Sequence, residues 1–216
     1  MRRSLGSFLS WRALRQLPLL PKAARAFENW IELLFAVTGL SDGGREFRLR
    51  AGGVVRTHEG VDSVSVAVVW LKRDDGPPPQ GRTVVDIGAN IGAYSLYAAL
   101  GNSRCHVHAF EPMRSNFRVL AENVRANELD DRITIRELGV AGICGHRKLY
   151  SGGGSPYHSV YSVKSVYSVK EDTEYSEIET ITLDKIFETC GIDHCDLLKM
   201  DCEGAEFEAF YAASPA

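Results

Sequence analysis

The sequence contains no apolar run long enough to cross a bilayer. The candidate run, Trp30 to Leu40, is short and includes Glu32, so it predicts a core-facing helix that ends at Gly39. The chain also lacks a strong charge of either sign, because its net charge is −3 at pH 7. This balance gives no general attraction to nucleic acids. The 216 residues suffice for one proper core.

The five cysteines lack the spacing of a metal or redox motif. There is no C-x-x-C pair and no zinc-finger pattern, which favours reduced thiols in a cytoplasmic protein. His106 and His108 lie two residues apart and share one face of a predicted strand. No third ligand follows at a recognisable spacing, so we interpret them as ordinary strand histidines and expect no bound metal.

Residues 1–27 contain no acidic residue. Six positive charges precede Glu28, together with a small apolar stripe. The segment predicts a helical arm packed on the domain; the alternative is a basic amphipathic helix with weak contact to an anionic membrane surface. A secretory signal is excluded because Arg12, Arg15 and Pro18 interrupt the apolar region that it requires.

Alternating apolar residues predict β-structure between Glu46 and Lys72. Phe47 and Leu49 alternate with charged residues before a Gly-Gly turn, and the valines at 64, 66 and 68 alternate with small residues. This pattern favours a β-hairpin or meander. The proline-rich stretch 74–81 that follows predicts a linker.

A strand, a glycine turn and a helix follow one another in TVVDIGANIGAYSLYAAL, residues 83–100. Such a unit lets the backbone pass close under a ligand while the helix N-terminus points at it. It predicts a ligand site in a Rossmann-like, doubly wound parallel α/β sheet. Later segments fit the same fold, with a helix at 114–127 and strands at 132–136 and 195–200.

The glycine turn lacks the pattern of a dinucleotide site. Asn90 stands where the fingerprint has its middle glycine, and Ala93 where it has its last one, which argues against the alternative of an NAD-dependent oxidoreductase. The pattern D-x-G-x-N-x-G instead suits a ligand with a cationic amino group and no phosphate. S-adenosylmethionine is such a ligand, and its candidate contacts are Asp86, Gly88, Asn90 and Gly92.

A second carboxylate is predicted at the end of the next strand. CHVHAF alternates like a strand and is followed by Glu111 and Pro112. Folds of this type place a carboxylate there to accept hydrogen bonds from ribose hydroxyls, so Glu111 is a further candidate cofactor residue. The alternative is that Glu111 only opens the following helix.

Three blocks of the sequence resemble a known family. VVDIGANIGAYS, HAFEPMRSNFRVLAENVRAN and LDKIFETCGIDHCDLLKMDCEGAEFEAF are similar to successive blocks of the FkbM-type methyltransferases, a branch of the class I S-adenosylmethionine-dependent enzymes. The similarity extends from about Glu46 to the C-terminus. It implies methyl transfer to a hydroxyl oxygen of a small-molecule or glycan acceptor, commonly a sugar, glycan or polyketide.

The last block supplies the candidate catalytic residues. Lys199 and Asp201 point the same way on one strand, and a lysine in so apolar a strand is costly unless it is paired. We expect Asp201 or Glu203 to take the acceptor's proton or to position the acceptor, with Lys199 orienting or neutralising. The alternative is that these charges cap and solvate the next helix.

The chain therefore divides into a basic helical arm (1–45), a β-hairpin with a Pro-rich linker (46–80) and an S-adenosylmethionine-binding methyltransferase domain (81–216). The sequence stops at Ala216, before the later strands of a class I sheet. We expect a sheet that is incomplete in its C-terminal half, with an exposed edge that favours a homodimer. A non-catalytic remnant acting as a binding module is the alternative. The SVYSVK repeat at 159–170 predicts an expanded loop.

Overall fold

The computed structural model describes residues 17–41, 46–58, 62–150, 175–202 and 204–214. Residues 1–16 and 42–45 of the expected basic arm, the SVYSVK repeat and Glu203 lie outside the described residues. Within these ranges no helix is long and apolar enough to cross a membrane.

The N-terminal elements form a helical and hairpin layer. In chain order they are α1 (Leu20–Ala26), α2 (Trp30–Thr38), β1 (Glu46–Arg48), β2 (Val54–Arg56) and α3 (Asp62–Ala67). β1 and β2 pair antiparallel. Phe27 and Phe47 are fully buried and meet edge to face, with ring centroids 6.4 Å apart. They belong to the same core as the strand residue Val84, so this layer packs on the sheet.

The strand predicted from the valines at 64, 66 and 68 is wrong. Residues 62–67 form α3, and the chain continues as a π-helical turn at Val68–Lys72. Val66, Val69 and Leu71 are buried together with Ser63 and Ala67, whereas Val64 and Val68 are only partly buried. Ser63, Val66 and Ala67 share one face of a helix, so packing of that face outweighs the β-propensity of the valines.

The later strands are β3 (Thr83–Ile87), β4 (His106–Phe110), β5 (Ile133–Arg136), β6 (Gly139–Val140), β7 (Gly145–Tyr150), β8 (Tyr175–Ile181) and β9 (Leu197–Met200). The later helices are α4 (Ala93–Gly101), α5 (Arg114–Ala126), α6 (Leu183–Cys190) and α7 (Glu206–Ala212). Four strands form a parallel sheet in the order β5-β4-β3-β9, and β8 lies between β6 and β7 in a second sheet.

Alternating side chains of the parallel sheet fill two cores. Val84 packs in one core with Leu96 of α4 and Leu120 of α5. Its neighbour Val85 packs in the other core with Ile186 of α6. Helices therefore cover both faces, and the predicted Rossmann-like, doubly wound α/β fold is confirmed.

Candidate functional site

The carboxyl ends of three adjacent strands meet at one edge of the parallel sheet. Ile87 of β3 is in register with Phe110 of β4 and with Met200 of β9. The residues that follow these three are Gly88, Glu111 and Asp201. The predicted cofactor and catalytic positions are therefore neighbours, as expected where a central strand is flanked on both sides.

The turn at residues 88–92 follows a left-handed path. Gly88, Asn90 and Gly92 have φ values of 73°, 53° and 83°. A Cβ at Gly88 would lie 2.0 Å from the Asp201 carbonyl oxygen, and one at Gly92 would lie 2.4 Å from Leu120 Cδ1. At Gly88 the added Cβ would meet backbone, and at both positions the positive φ favours glycine, while asparagine is among the side chains that tolerate this backbone conformation. The pattern that sequence analysis assigned to ligand contact thus also shapes the turn.

Glu111 holds this turn from the end of β4. Its Oε2 accepts a hydrogen bond from the Asn90 N–H at 2.8 Å, and its Oε1 accepts from the Met113 N–H at 2.9 Å and from Asn116 Nδ2 at 3.4 Å. The side chain is nearly fully buried. Burial raises the pKa of Glu111 to about 7, against the opposing effect of these hydrogen bonds. Oε2 accepts only one of these bonds and retains a second acceptor site, so an added hydroxyl donor would favour the ionised carboxylate.

Asp86 is completely buried behind the turn. Its Oδ2 accepts a hydrogen bond from the Ser95 hydroxyl at 2.6 Å, and its Oδ1 lies 3.3 Å from Lys199 Nζ. Desolvation lowers the pKa of Lys199, but the nearby charges of Asp86, Asp201 and Asp75 outweigh it, so the pKa is raised. Lys199 is therefore positively charged at neutral pH. The positive charge that pairs with Asp86 thus comes from the protein itself.

Two buried polar atoms near the turn, Asn90 Oδ1 and the Tyr94 hydroxyl oxygen, have no hydrogen-bond partner among the described residues. Asp86 Oδ1 makes no hydrogen bond there either, but it forms the ion pair with Lys199. The Tyr94 ring centroid lies 5.7 Å from Lys199 Nζ. Burial, together with the charges of Asp86 and Asp75, raises the pKa of Tyr94 to about 12. Buried polar groups normally find partners, so this site suits a ligand that carries amino and hydroxyl groups.

Sequence reasoning missed two residues that build the site. Ser95 holds Asp86, and Asn123 of α5 donates a hydrogen bond from Nδ2 to the Ile91 carbonyl oxygen at 2.8 Å. Asn123 is completely buried. Its signal in the sequence is a polar residue next to Val124 on the apolar face of α5.

The remaining candidates lie at the margin of the site. The Asp201 side chain is exposed at the tip of β9, and Glu203 lies outside the described residues. Beyond β6, Gly142 N–H donates to Glu208 Oε1 at 3.3 Å, and Arg147 Nη1 donates to Glu208 Oε2 at 2.8 Å. In the part of the chain that the structure describes, no three His, Cys, Asp or Glu side chains form a metal-binding group.

Comparison with known proteins identifies the relatives of this chain. The model of the family described as "Methyltransferase FkbM domain" matches residues 86–215. The curated protein "Methyltransferase sdnD" of Sordaria araneosa is 26% identical over 154 residues, which is 60% of this chain and 60% of that protein. The chain thus spans less than two thirds of the length of this relative.

Solved structures give only weak overall superpositions. TYW2 of P. horikoshii, in complex with MeSAdo, has a TM-score of 0.27 and 24% identity, over 43% of this chain and 39% of that chain. The aTrm5 chain in its complex with tRNALeu has a TM-score of 0.28 and 14% identity, over 53% and 44% of the respective chains. The fold assignment depends on the strand order of the sheet itself.

Proposed function

Because the chain belongs to the FkbM methyltransferase domain family, we propose that it transfers a methyl group from S-adenosylmethionine to a hydroxyl oxygen of a small-molecule or glycan acceptor. The methyltransferase class and its cofactor follow from the family. The hydroxyl acceptor is the part of the proposal that the family assignment does not supply. The observation that supports the proposal is the meeting of the 88–92 turn, Glu111 and Asp201 at one edge of the sheet.

The residues at this edge fit the chemical groups of S-adenosylmethionine. Glu111 retains an acceptor site at Oε2 for a ribose hydroxyl, although its pKa is raised in the free protein. The unpartnered Oδ1 of Asn90 suits the amino group of the methionine part. Asp86 supports the turn from its buried side, where it is held by Ser95 and Lys199.

When bound, the cofactor supplies an electrophilic methyl group on a sulfonium. In-line transfer forms the new O–C bond as the S–C bond breaks, the electron pair stays on sulfur, and the acceptor loses its hydroxyl proton. The raised pKa of Lys199 keeps it protonated, so it does not serve as the base. Asp201 is exposed at the strand tip and is our candidate proton acceptor, with Glu203 as the alternative.

Transfer of a labelled methyl group tests the proposal. The protein is incubated with methyl-labelled S-adenosylmethionine and a panel of sugars, glycans and polyketide-type alcohols, and the products are analysed by mass spectrometry and NMR. We expect a methyl ether and stoichiometric S-adenosylhomocysteine. Methylation at nitrogen or carbon would overturn the hydroxyl assignment, and preferential binding of NAD would overturn the cofactor assignment.

A further inference from the structure

Two asparagines attach the N-terminal hairpin to α5. Asn123 Oδ1 accepts a hydrogen bond from the Arg56 N–H at 2.6 Å, and Asn123 Nδ2 donates to the Arg56 carbonyl oxygen at 2.9 Å. One helical turn later, Asn127 makes the same pair of contacts with Val54, at 2.8 and 2.7 Å. The two side-chain amides thus satisfy the edge of β2 that faces away from β1.

The second N–H of each side-chain amide reaches a different place. Asn123 Nδ2 also donates to the Ile91 carbonyl oxygen at 2.8 Å, whereas Asn127 Nδ2 donates to the Asn123 carbonyl oxygen at 2.7 Å. Asn123 therefore joins the hairpin to the turn at 88–92 through one side chain. Asn127 joins the hairpin only to its own helix.

The turn needs such support because one of its non-glycine residues has a left-handed backbone. Asn90 has a φ of 53°, and such conformations persist only where the surroundings determine them. Glu111 accepts a hydrogen bond from the Asn90 N–H, and Asn123 donates one to the carbonyl group of the following residue, Ile91. The peptide group before Asn90 and the peptide group after Ile91 are thereby fixed, one on each side of this part of the turn.

We propose that the N-terminal hairpin, formed by β1 and β2, supports the cofactor site. Asn123 is the positioning residue that connects this hairpin to the turn at 88–92. Docking of β2 orders Asn123, and Asn123 in turn holds the Ile91 carbonyl group and the shape of the turn. The effect on cofactor affinity rests on the proposed function, whereas the effect on the turn itself does not.

The matched variants Asn123→Asp and Asn127→Asp test this connection. Each keeps an acceptor for a β2 amide and loses the donation to a β2 carbonyl group, but only Asn123→Asp also loses the donation to Ile91. The readouts are hydrogen exchange of residues 88–92 in the free protein and calorimetric affinity for S-adenosylhomocysteine. Thermal unfolding of both variants measures their general loss of stability.

We expect Asn123→Asp to speed exchange in the turn and to weaken S-adenosylhomocysteine binding by about tenfold, and Asn127→Asp to change affinity by less than about twofold. Equal effects of the two variants on exchange and affinity would reduce Asn123 to a structural role and overturn the proposal. If the wild-type protein binds no S-adenosylhomocysteine, the proposed function fails, and exchange in the turn still decides the role of Asn123.

A measurement on the wild-type protein covers the case in which Asn123→Asp does not fold. Saturation with S-adenosylhomocysteine is expected to slow hydrogen exchange of β2 as well as of the 88–92 turn, because the two share Asn123. Protection of the turn with unchanged exchange at Arg56 would overturn the connection.

Discussion

Lys199 of β9 lies directly opposite Asp86 of β3 in the parallel sheet, with Nζ 3.3 Å from Asp86 Oδ1. Asp86 is fully buried, so its charge is balanced within the protein by this lysine and by the Ser95 hydroxyl. The contact joins the last strand to the central strand just before the turn that shapes the site. It therefore links docking of β9 to the geometry of residues 88–92.

Removal of this lysine should strongly destabilise the protein. Lys199→Met leaves the Asp86 carboxylate buried without a cation, and we expect a loss of about 3 kcal/mol in the free energy of unfolding, measured by urea denaturation. Lys185→Met is the control, because Lys185 forms an exposed pair with Glu188. Similar losses in the two variants would show that the buried pair has no special importance.

Glu111 should make stability fall as the pH rises. Its pKa is about 7 in the folded protein, against an ordinary value of 4.5, so the native state binds more protons than the unfolded state between these values. The free energy of unfolding therefore decreases across this window, by on the order of 3 kcal/mol. Urea denaturation at several pH values, on the wild type and on Glu111→Gln, measures this decrease. A slope that is identical in both proteins would assign the effect to another group.

The close approach of the 88–92 turn to β9 should not tolerate a methyl group. In Gly88→Ala the new Cβ meets the Asp201 carbonyl oxygen in addition to the unfavourable φ, so the tip of β9 must move. Gly39→Ala is the matched control, since Gly39 has a φ of 72° and no atom within 4 Å of the added Cβ. We expect about 1 kcal/mol of destabilisation at Gly39 and clearly more at Gly88, by thermal denaturation. Equal shifts would contradict the contact.

The strands and the glycine turn could be predicted because their signals are local. The run Thr83–Ile87 is β-rich and ends at a glycine turn, and the helix at Arg114–Ala126 has a clear apolar period. The helix α3 could not be predicted from its alternating valines, because the tertiary contacts that bury its 62, 63, 66 and 67 face are not visible in the sequence.

The positions of the site residues along the chain could be predicted better than the contacts between their side chains. Glu111 and Asp201 lie at the expected strand ends, because a carboxylate after a β-strand is visible in sequence. The partners of Asp86 were not visible, since the sequence does not show that Ser95 and Lys199 face it from two other elements. Asn123 was missed for the same reason: its contact with Ile91 spans residues far apart in the chain.

Asp201 should affect turnover and leave cofactor binding unchanged. With an acceptor identified, Asp201→Asn is expected to lower kcat about a hundredfold, because it removes the proposed proton acceptor at the tip of β9. Its affinity for S-adenosylmethionine, measured by calorimetry, should match that of the wild type. An unchanged kcat would move the role of base to Glu203, which the equivalent Glu203→Gln variant measures.

Calorimetric titration with S-adenosylhomocysteine of the wild type and Glu111→Gln tests the central claim, that Glu111 receives the ribose of the cofactor. Ionised Glu111 is favoured in the complex, so near pH 7 wild-type binding should release protons, seen as a heat that depends on the ionisation enthalpy of the buffer. We predict that Glu111→Gln binds at least about tenfold more weakly and loses this buffer dependence. Equal affinity of a folded Glu111→Gln variant would contradict the account.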